Sequence, residues 1–332
     1  MKDSTLFKKA YGCMLGGIIG DAMGAPGEGK TYQEIEEKFG WISDFQGAGT
    51  DDTVIKHILC EAILENGGYV TADEFATAFL NNGDKFRYFY TPVRNQFCLV
   101  SAGMVLPVYA GMGGQQSSSS AMAIAPMGII NACNPHQAAL ETYDLAGLIH
   151  GEKATACRDG ACAIAAAIAE AMKPGATVDS VLDASTRYLH KTSSAEMIGC
   201  ITAMTDLAKQ EGEYRAFRRA FYEKGLRLAA PTVADARETV PATIALFYLA
   251  QGNPRQAITF GANLGRDADT IAGMVGAISG AFQGVDAMGS DWVVKVTAAV
   301  EGQEELALKL AQVAVDKANR TRALVGMLDQ LQ

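Results

Sequence analysis

Two short stretches of this chain carry enough oxygen to hold a hard cation. They are Thr50-Asp51-Asp52-Thr53 and Asp267-Ala268-Asp269-Thr270, far apart in the sequence. Each packs carboxylates and a hydroxyl into four residues, and each leads into an apolar run; the second opens Ile271-Ala272-Gly273-Met274-Val275-Gly276-Ala277-Ile278. Oxygen-only ligand sets of this kind suit Mg²⁺ or Mn²⁺. Taken singly, either stretch is also explained as a helix start, since Asp and Thr cap helices and acids in a first turn offset the dipole. Two carboxylates ~4 Å apart repel by roughly 4 kcal/mol at an effective dielectric near 20. A buried helix start that gathers several of them therefore takes up a cation or takes up protons. If the two starts meet in space, the chain has a dinuclear metal centre.

A third group of chemically capable residues follows the first apolar run. In Gly20-Asp21-Ala22-Met23-Gly24-Ala25-Pro26-Gly27-Glu28, the glycines suit a tight loop that presents Asp21 and Glu28 together. Hydrolysis of a glycosidic bond uses an acid and a base or nucleophile in this way. The plain alternative makes Asp21 a helix-end residue and Glu28 an exposed loop acid. The run Gly111-Met112-Gly113-Gly114-Gln115-Gln116-Ser117-Ser118-Ser119-Ser120 reads locally as a flexible linker. Its rival reading is an anion-binding loop leading into a helix near Ala121.

The elements that must position these groups read as helices throughout. Thr31-x-x-Glu34 and Thr71-x-x-Glu74 fit capping boxes, and Asn134-Pro135 and Asn253-Pro254 each place a cap before an N1 proline. Tyr11 to Met23 reads as a buried helix interrupted by glycines. Ala161 to Met172 is nearly all Ala and Ile, a helix buried on most faces. Glu238 to Ala250 reads as a helix with Pro241 in its first turn, and Glu304 to Leu331 alternates apolar and charged positions at helical period. Strand signals are thin, so the expected fold is all-α, one domain over 1–332.

Composition narrows the function. With a net charge of −9, the 332-residue chain lacks the basic excess of a nucleic-acid binder. The apolar N-terminal stretch is too short to span a membrane, and no secretory signal is evident. Seven cysteines without a CxxC pair suit reduced thiols in a cytoplasmic protein. The four histidines, His57, His136, His150 and His190, lack zinc-site spacing and read as surface or core residues. Lys85-Phe86-Arg87-Tyr88-Phe89-Tyr90 reads as a core-to-surface segment, with a substrate cleft as its rival role. Trp41 and Phe45 read as ordinary packing.

Together the blocks resemble the ADP-ribosylglycohydrolase family. The resemblance rests on Gly20-Asp21-Ala22-Met23-Gly24 with Glu28, on Thr50-Asp51-Asp52-Thr53, on Ser119-Ser120-Ala121-Met122 with Ala125-Pro126, on Val240-Pro241-Ala242 with Phe247, and on Gly265-x-Asp267-Ala268-Asp269-Thr270, in that order. It implies a compact single-domain helical fold with two Mg²⁺ ions, Mn²⁺ being the rival metal. The implied metal ligands are Thr50, Asp51, Asp52, Asp267, Asp269 and Thr270. Glu28 corresponds to a mobile acid near the metals, and Asp21 to a carboxylate that holds the loop or a metal-bound water. A ligating aspartate such as Asp52 or Asp269 is the alternative acid or base. Ser118, Ser119, Ser120, Ala121 and Met122 would face the diphosphate of an ADP-ribosyl group.

The implied activity is hydrolysis at a ribosyl C1, acting on an ADP-ribosylated protein or a smaller ribosyl compound. The alternatives are an N-glycosidase for a nucleoside-like metabolite, a non-catalytic ADP-ribose binder and, more remotely, a phosphohydrolase. A monomer is expected, with neither nucleic-acid nor membrane partners. Three departures from the family pattern stand out. Ala123 follows Met122 where the family has Arg, Asn131-Ala132 stands in the place of a Ser/Thr-His pair, and Arg266 replaces a glycine beside the second acidic stretch.

Overall fold

The computed structural model describes residues 2–112, 114–151, 154–224 and 232–332. Sixteen α-helices and no strand are found among them. The first quarter contributes α1 (Thr5–Gly24), α2 (Tyr32–Phe39), α3 (Asp51–Glu65) and α4 (Ala72–Asn81). An excursion follows with α5 (Thr91–Ser101) and the short α6 (Ala125–Ile130). The middle is α7 (Pro135–Leu145), α8 (Thr155–Ala171), α9 (Val178–Arg187), α10 (Ala195–Glu211) and α11 (Tyr214–Glu223). The chain returns through α12 (Ala236–Leu249), α13 (Pro254–Ala262), α14 (Ala268–Gln283), α15 (Ser290–Ala299) and α16 (Gln303–Asp329). No helix is long and apolar enough to cross a membrane among the described residues.

The local signals in the sequence are obeyed. Thr31 and Thr71 form complete capping boxes, with Glu34 and Glu74 reaching back to the cap N–H groups at 2.7 Å. Asn134 and Asn253 cap α7 and α13 ahead of their prolines. The start of α12 differs: it begins at Ala236, capped by Asp235, so Pro241 sits inside the helix rather than in its first turn. The Asp235 side chain accepts from the Arg237 N–H at 2.9 Å, which starts the helix before the apolar run that marks it in the sequence.

At the centre of the fold α1 packs antiparallel on α14 along a seam of small residues. Gly12, Gly16, Gly20 and Gly24 on α1 face Gly280, Gly276, Ala272 and Ala268 on α14. A Cβ added at any of the four α1 glycines would overlap the opposing backbone. In the sequence Gly12, Gly16 and Gly20 read as interruptions of an apolar helix, and Gly20 and Gly24 as a tight loop; instead α1 continues through Gly24, so Asp21 is a helix residue and only Glu28 lies on the loop. At a spacing of four the glycines form one helix face, which lets two backbones approach more closely than ridge-and-groove packing of larger side chains allows. The seam is buried along its length. It also sets the site, because Asp21 follows Gly20 and Asp269 follows Ala268.

Candidate active site

The seam brings the end of α1 beside the start of α14, and α3 is tied to the same place. Asp21 is fully buried, and both its oxygens accept from the Thr50 N–H at 2.9 Å. Oδ2 also accepts from the Thr53 N–H at 3.0 Å and the Thr53 hydroxyl at 2.5 Å. Gly49, at φ +89°, lies against this carboxylate where a side chain would collide with it. Asp21 is therefore occupied in holding the first turn of α3, and it is absent from the residues lining the cleft.

The two acidic stretches meet. Thr50 and Asp267 are the N-caps of α3 and α14, so each stretch is a helix start. The cleft between them, about 440 Å³ including its open mouth, is lined by Glu28, Asp51, Asp52, Asp267, Asp269 and Thr270, with Tyr90, Ser118, Ser119 and Met122 beside them. Glu28, Asp267 and Asp269 each offer an oxygen within 4.8 Å of the other two. The Thr50 hydroxyl lies 3.5 Å from Asp269 Oδ2. The other Asp269 oxygen is buried with no hydrogen-bond partner.

The electrostatics follow from this crowding. Burial pushes the Asp51 carboxyl up to about 6, with Asp21 and Glu28 adding to the rise and the Asp51 and Tyr90 amides opposing it. Asp52 is driven well above the carboxylate range by burial and then by Asp21, Asp269, Asp51 and Asp267. Asp267 rises to about 7 through burial and Glu28, although the Ser118 and Thr270 hydroxyls pull it back. Asp269 lies well above its ordinary value through burial, then Asp267, Glu28 and Asp21. Crowded buried carboxylates with an oxygen left unpaired are the donor set a hard divalent cation would satisfy.

A pH signature follows. Unfolded aspartates titrate near 3.9, so the folded metal-free chain holds extra protons on Asp51 and Asp267 between about pH 4 and 7. That contribution to stability is complete below the unfolded pKa and is lost as pH rises through 6 and 7. A cation binds the deprotonated forms, so its effect grows over the same window. The rise in thermal midpoint on adding Mg²⁺ should be larger at pH 7.5 than at pH 5. Buried His57 and His150, pushed down to about 4 and 3, cancel in that comparison. An equal rise at both pH values would count against the cluster as the binding site.

The serine run is not a linker. Ser117, Ser118, Ser119 and Ser120 are all buried, and the next helix begins at Ala125 rather than near Ala121. The Ser118 hydroxyl donates to Asp267 Oδ2 at 3.0 Å. Ser117 Oγ donates to Ser119 Oγ at 2.9 Å, and His150 lies between Ser117 Oγ at 3.0 Å and Ser120 Oγ at 2.7 Å. Ser118 and Ser119 reach the cleft, as does Met122, whereas Ser120 and Ala121 do not line it.

Reading His150 as filler missed this role. Nothing in its spacing marks it, and its contact with the run depends on the turn before α8. Asn131 donates to Glu141 at 2.7 Å and to the Met127 carbonyl, away from the cleft. The histidine that reaches the serine run is His150, just ahead of α8. Tyr90 lines the cleft too, so the Lys85–Tyr90 segment reaches the site through its last residue. Trp41 packs edge-on to Tyr214 and Phe45 to Trp292, as ordinary packing.

Comparison with known proteins decides the kinship. The family model described as ADP-ribosylglycohydrolase matches residues 2–320. The chain belongs to the ADP-ribosylglycohydrolase family. Among curated relatives, YegU of Escherichia coli (strain K12) is 27% identical over 306 residues, covering 85% of this chain and 89% of that one. A protein of Archaeoglobus fulgidus is 25% identical over 291 residues, covering 82% and 87%. Neither relative carries a described activity in its name. A solved structure titled ADP-ribosylglycohydrolase-related protein complex superposes with a TM-score of 0.69 at 22% identity, covering 93% of this chain and 99% of that one. That likeness establishes the shared all-helical fold.

The structure gives Arg266, beside the second acidic stretch, a place of its own. It adopts φ +64°, a left-handed conformation that costs a non-glycine residue about 1–2 kcal/mol. Its guanidinium pairs with both oxygens of Glu238, at 2.8 and 2.9 Å. Glu238 is buried to 1% exposure on α12, and burial raises its pKa while Arg266 pulls it back.

Proposed function

We propose that this protein is a divalent-metal-dependent glycosidase that hydrolyses a bond to ribosyl C1, with ADP-ribosyl groups as its substrate. The observation that carries the reading is the convergence of the two acidic helix starts and Glu28 on one cleft, with an Asp269 oxygen left without a partner. Thr50, Asp51, Asp52, Asp267, Asp269 and Thr270 are the proposed ligands, for Mg²⁺ or Mn²⁺. Bound ions would supply Lewis-acid polarisation of ribosyl oxygens and a more acidic water.

The protein's own groups do the rest. Glu28 is exposed on a loop at the cleft, whereas Asp52, Asp267 and Asp269 are buried, so Glu28 is placed to move a proton to the leaving atom or from water. Asp21 holds the first turn of α3 and keeps Asp51 and Asp52 aimed inward. Ser118 orients Asp267, and His150 holds the serine run from behind. The free cysteines suit work in a reducing cytoplasm.

One observation favours a second reading. No Lys or Arg lines the cleft among the described residues. The Ser117, Ser118 and Ser120 hydroxyls are already engaged with Ser119, Asp267 and His150. Among the described residues a diphosphate would thus find few free side-chain donors, which suits a smaller N-ribosyl compound.

Turnover of an ADP-ribosylated peptide and of a nucleoside panel with Mg²⁺ separates the readings. Glu28→Gln should lower turnover of the true substrate by roughly 10²–10⁴. Cleavage of nucleosides alone would transfer the assignment to the second reading. Tight ADP-ribose binding with no hydrolysis of any ribosyl compound would overturn the enzyme assignment and leave a binder.

A further inference from the structure

We infer that Arg266 is a positioning residue, a latch that fixes the Glu28 loop against the start of α14. The inference rests on the reading above that Glu28 works at the acidic cluster. The loop after α1 is held to Arg266 by two short backbone bonds. The Gly29 N–H donates to the Arg266 carbonyl, and the Arg266 N–H donates to the Lys30 carbonyl, both at 2.7 Å. These bonds bracket the residue next to Glu28. Within the loop itself the bonds are longer, Glu28 N–H to the Ala25 carbonyl at 3.3 Å, Lys30 N–H to the Gly27 carbonyl at 3.1 Å and Lys30 Nζ to the Glu28 carbonyl at 3.2 Å, and the Glu28 side chain is exposed. The shortest tie between the residues just after Glu28 and the rest of the fold therefore runs through residue 266.

Residue 266 is held by its side chain. Glycine would adopt φ +64° without strain, yet this position carries arginine, a residue that disfavours it. In exchange, the guanidinium grips both oxygens of a carboxylate buried in α12. A two-point Arg–carboxylate pair fixes orientation as well as distance. One residue thus links three parts of the fold: α12 through Glu238, the Glu28 loop through its backbone, and α14 through the adjoining Asp267. Tyr222 supports the same junction, donating to the Leu264 carbonyl at 2.8 Å and accepting from the Tyr32 N–H at 3.2 Å. With glycine at 266 the backbone pair keeps its geometry but loses its anchor to α12.

The test uses Arg266→Gly combined with Glu238→Gln, so that no buried carboxylate is left unpaired. It reads amide exchange at Gly29 and Lys30, and Mn²⁺ affinity by calorimetry. The double variant should keep its helical circular dichroism, speed Gly29 exchange at least about tenfold, and weaken Mn²⁺ binding about five- to twentyfold. Arg266→Lys should recover only part of both effects, since an ammonium cannot make the forked pair. Unchanged Gly29 exchange in the double variant would overturn the latch. So would a change no larger than that at amides buried in α8, because the effect would then be global loosening. If the double variant does not fold, Arg266→Lys alone decides: wild-type Gly29 exchange in that variant overturns the inference, and faster exchange confined to the loop supports it. Failure of the metal reading is seen separately, as Mn²⁺ affinity that is indifferent to Asp269→Asn.

Discussion

Asp269→Asn should make the metal-free protein more stable at pH 7.5 while abolishing its response to Mg²⁺ and its turnover. The three effects share one cause. Asp269 sits buried among Asp267, Glu28 and Asp21, and its own carboxyl is pushed well above the ordinary range. Folding without a cation must therefore either hold a proton there or bear the repulsion, and an amide of the same shape removes both costs. The gain should show as a higher thermal midpoint than wild type in chelator at pH 7.5. An amide also withdraws one anionic ligand from the site. Thermal stabilisation by Mg²⁺ should largely vanish, and turnover should fall by about 10³ or more, which corresponds to several kcal/mol of lost transition-state stabilisation. Thermal scans in chelator and in Mg²⁺, with an assay alongside, check all three. A metal-free variant less stable than wild type would show that Asp269 is an ordinary helix-start carboxylate.

The second large effect is expected in the glycine seam. Gly20→Val places a branched side chain against the Ala272 backbone of α14, where even a Cβ overlaps the carbonyl. Because the obstacle is backbone, no rotamer relieves it, and α1 and α14 must separate. Overpacking against rigid backbone costs about 3 kcal/mol, or roughly 4 °C in thermal midpoint for a chain of this size. The variant should also lose Mg²⁺ stabilisation, because Asp21 and Asp269 are brought together by this contact. Gly199→Ala is the control. Its position on α10 has nothing within 4 Å of an added Cβ, so it should gain about 0.5–1 kcal/mol from helix propensity. Equal effects at Gly20 and Gly199 would rule out the seam as the element that holds the site.

These cases show what could be seen in the sequence and what could not. Capping boxes at Thr31 and Thr71 and the caps at Asn134 and Asn253 were legible because their chemistry is complete within four residues. Asp51-Asp52 and Asp267-Ala268-Asp269 were legible as helix starts for the same reason. Their meeting in space followed from the family resemblance, not from spacing. The glycines of α1 carried that information in their four-residue period, shared with Gly276 and Gly280. In isolation they read as breaks, and Gly20 and Gly24 as a loop, because glycine lowers helix propensity when nothing packs against it. The serine run looked like a linker because low complexity says nothing about burial, and its partner His150 lies in a different turn. Arg266 was visible as a departure, but its left-handed backbone and its grip on Glu238 depend on α12 and α14 lying together.

The most direct test of the central claim is anomalous diffraction from crystals soaked in Mn²⁺ at pH 7.5. Anomalous density should lie in the cleft within bonding reach, about 2–2.3 Å, of carboxylate oxygens drawn from both acidic stretches, with the unpaired Asp269 oxygen among them. Absence of density there at saturating Mn²⁺, or density bound by one stretch alone, would contradict a shared metal centre.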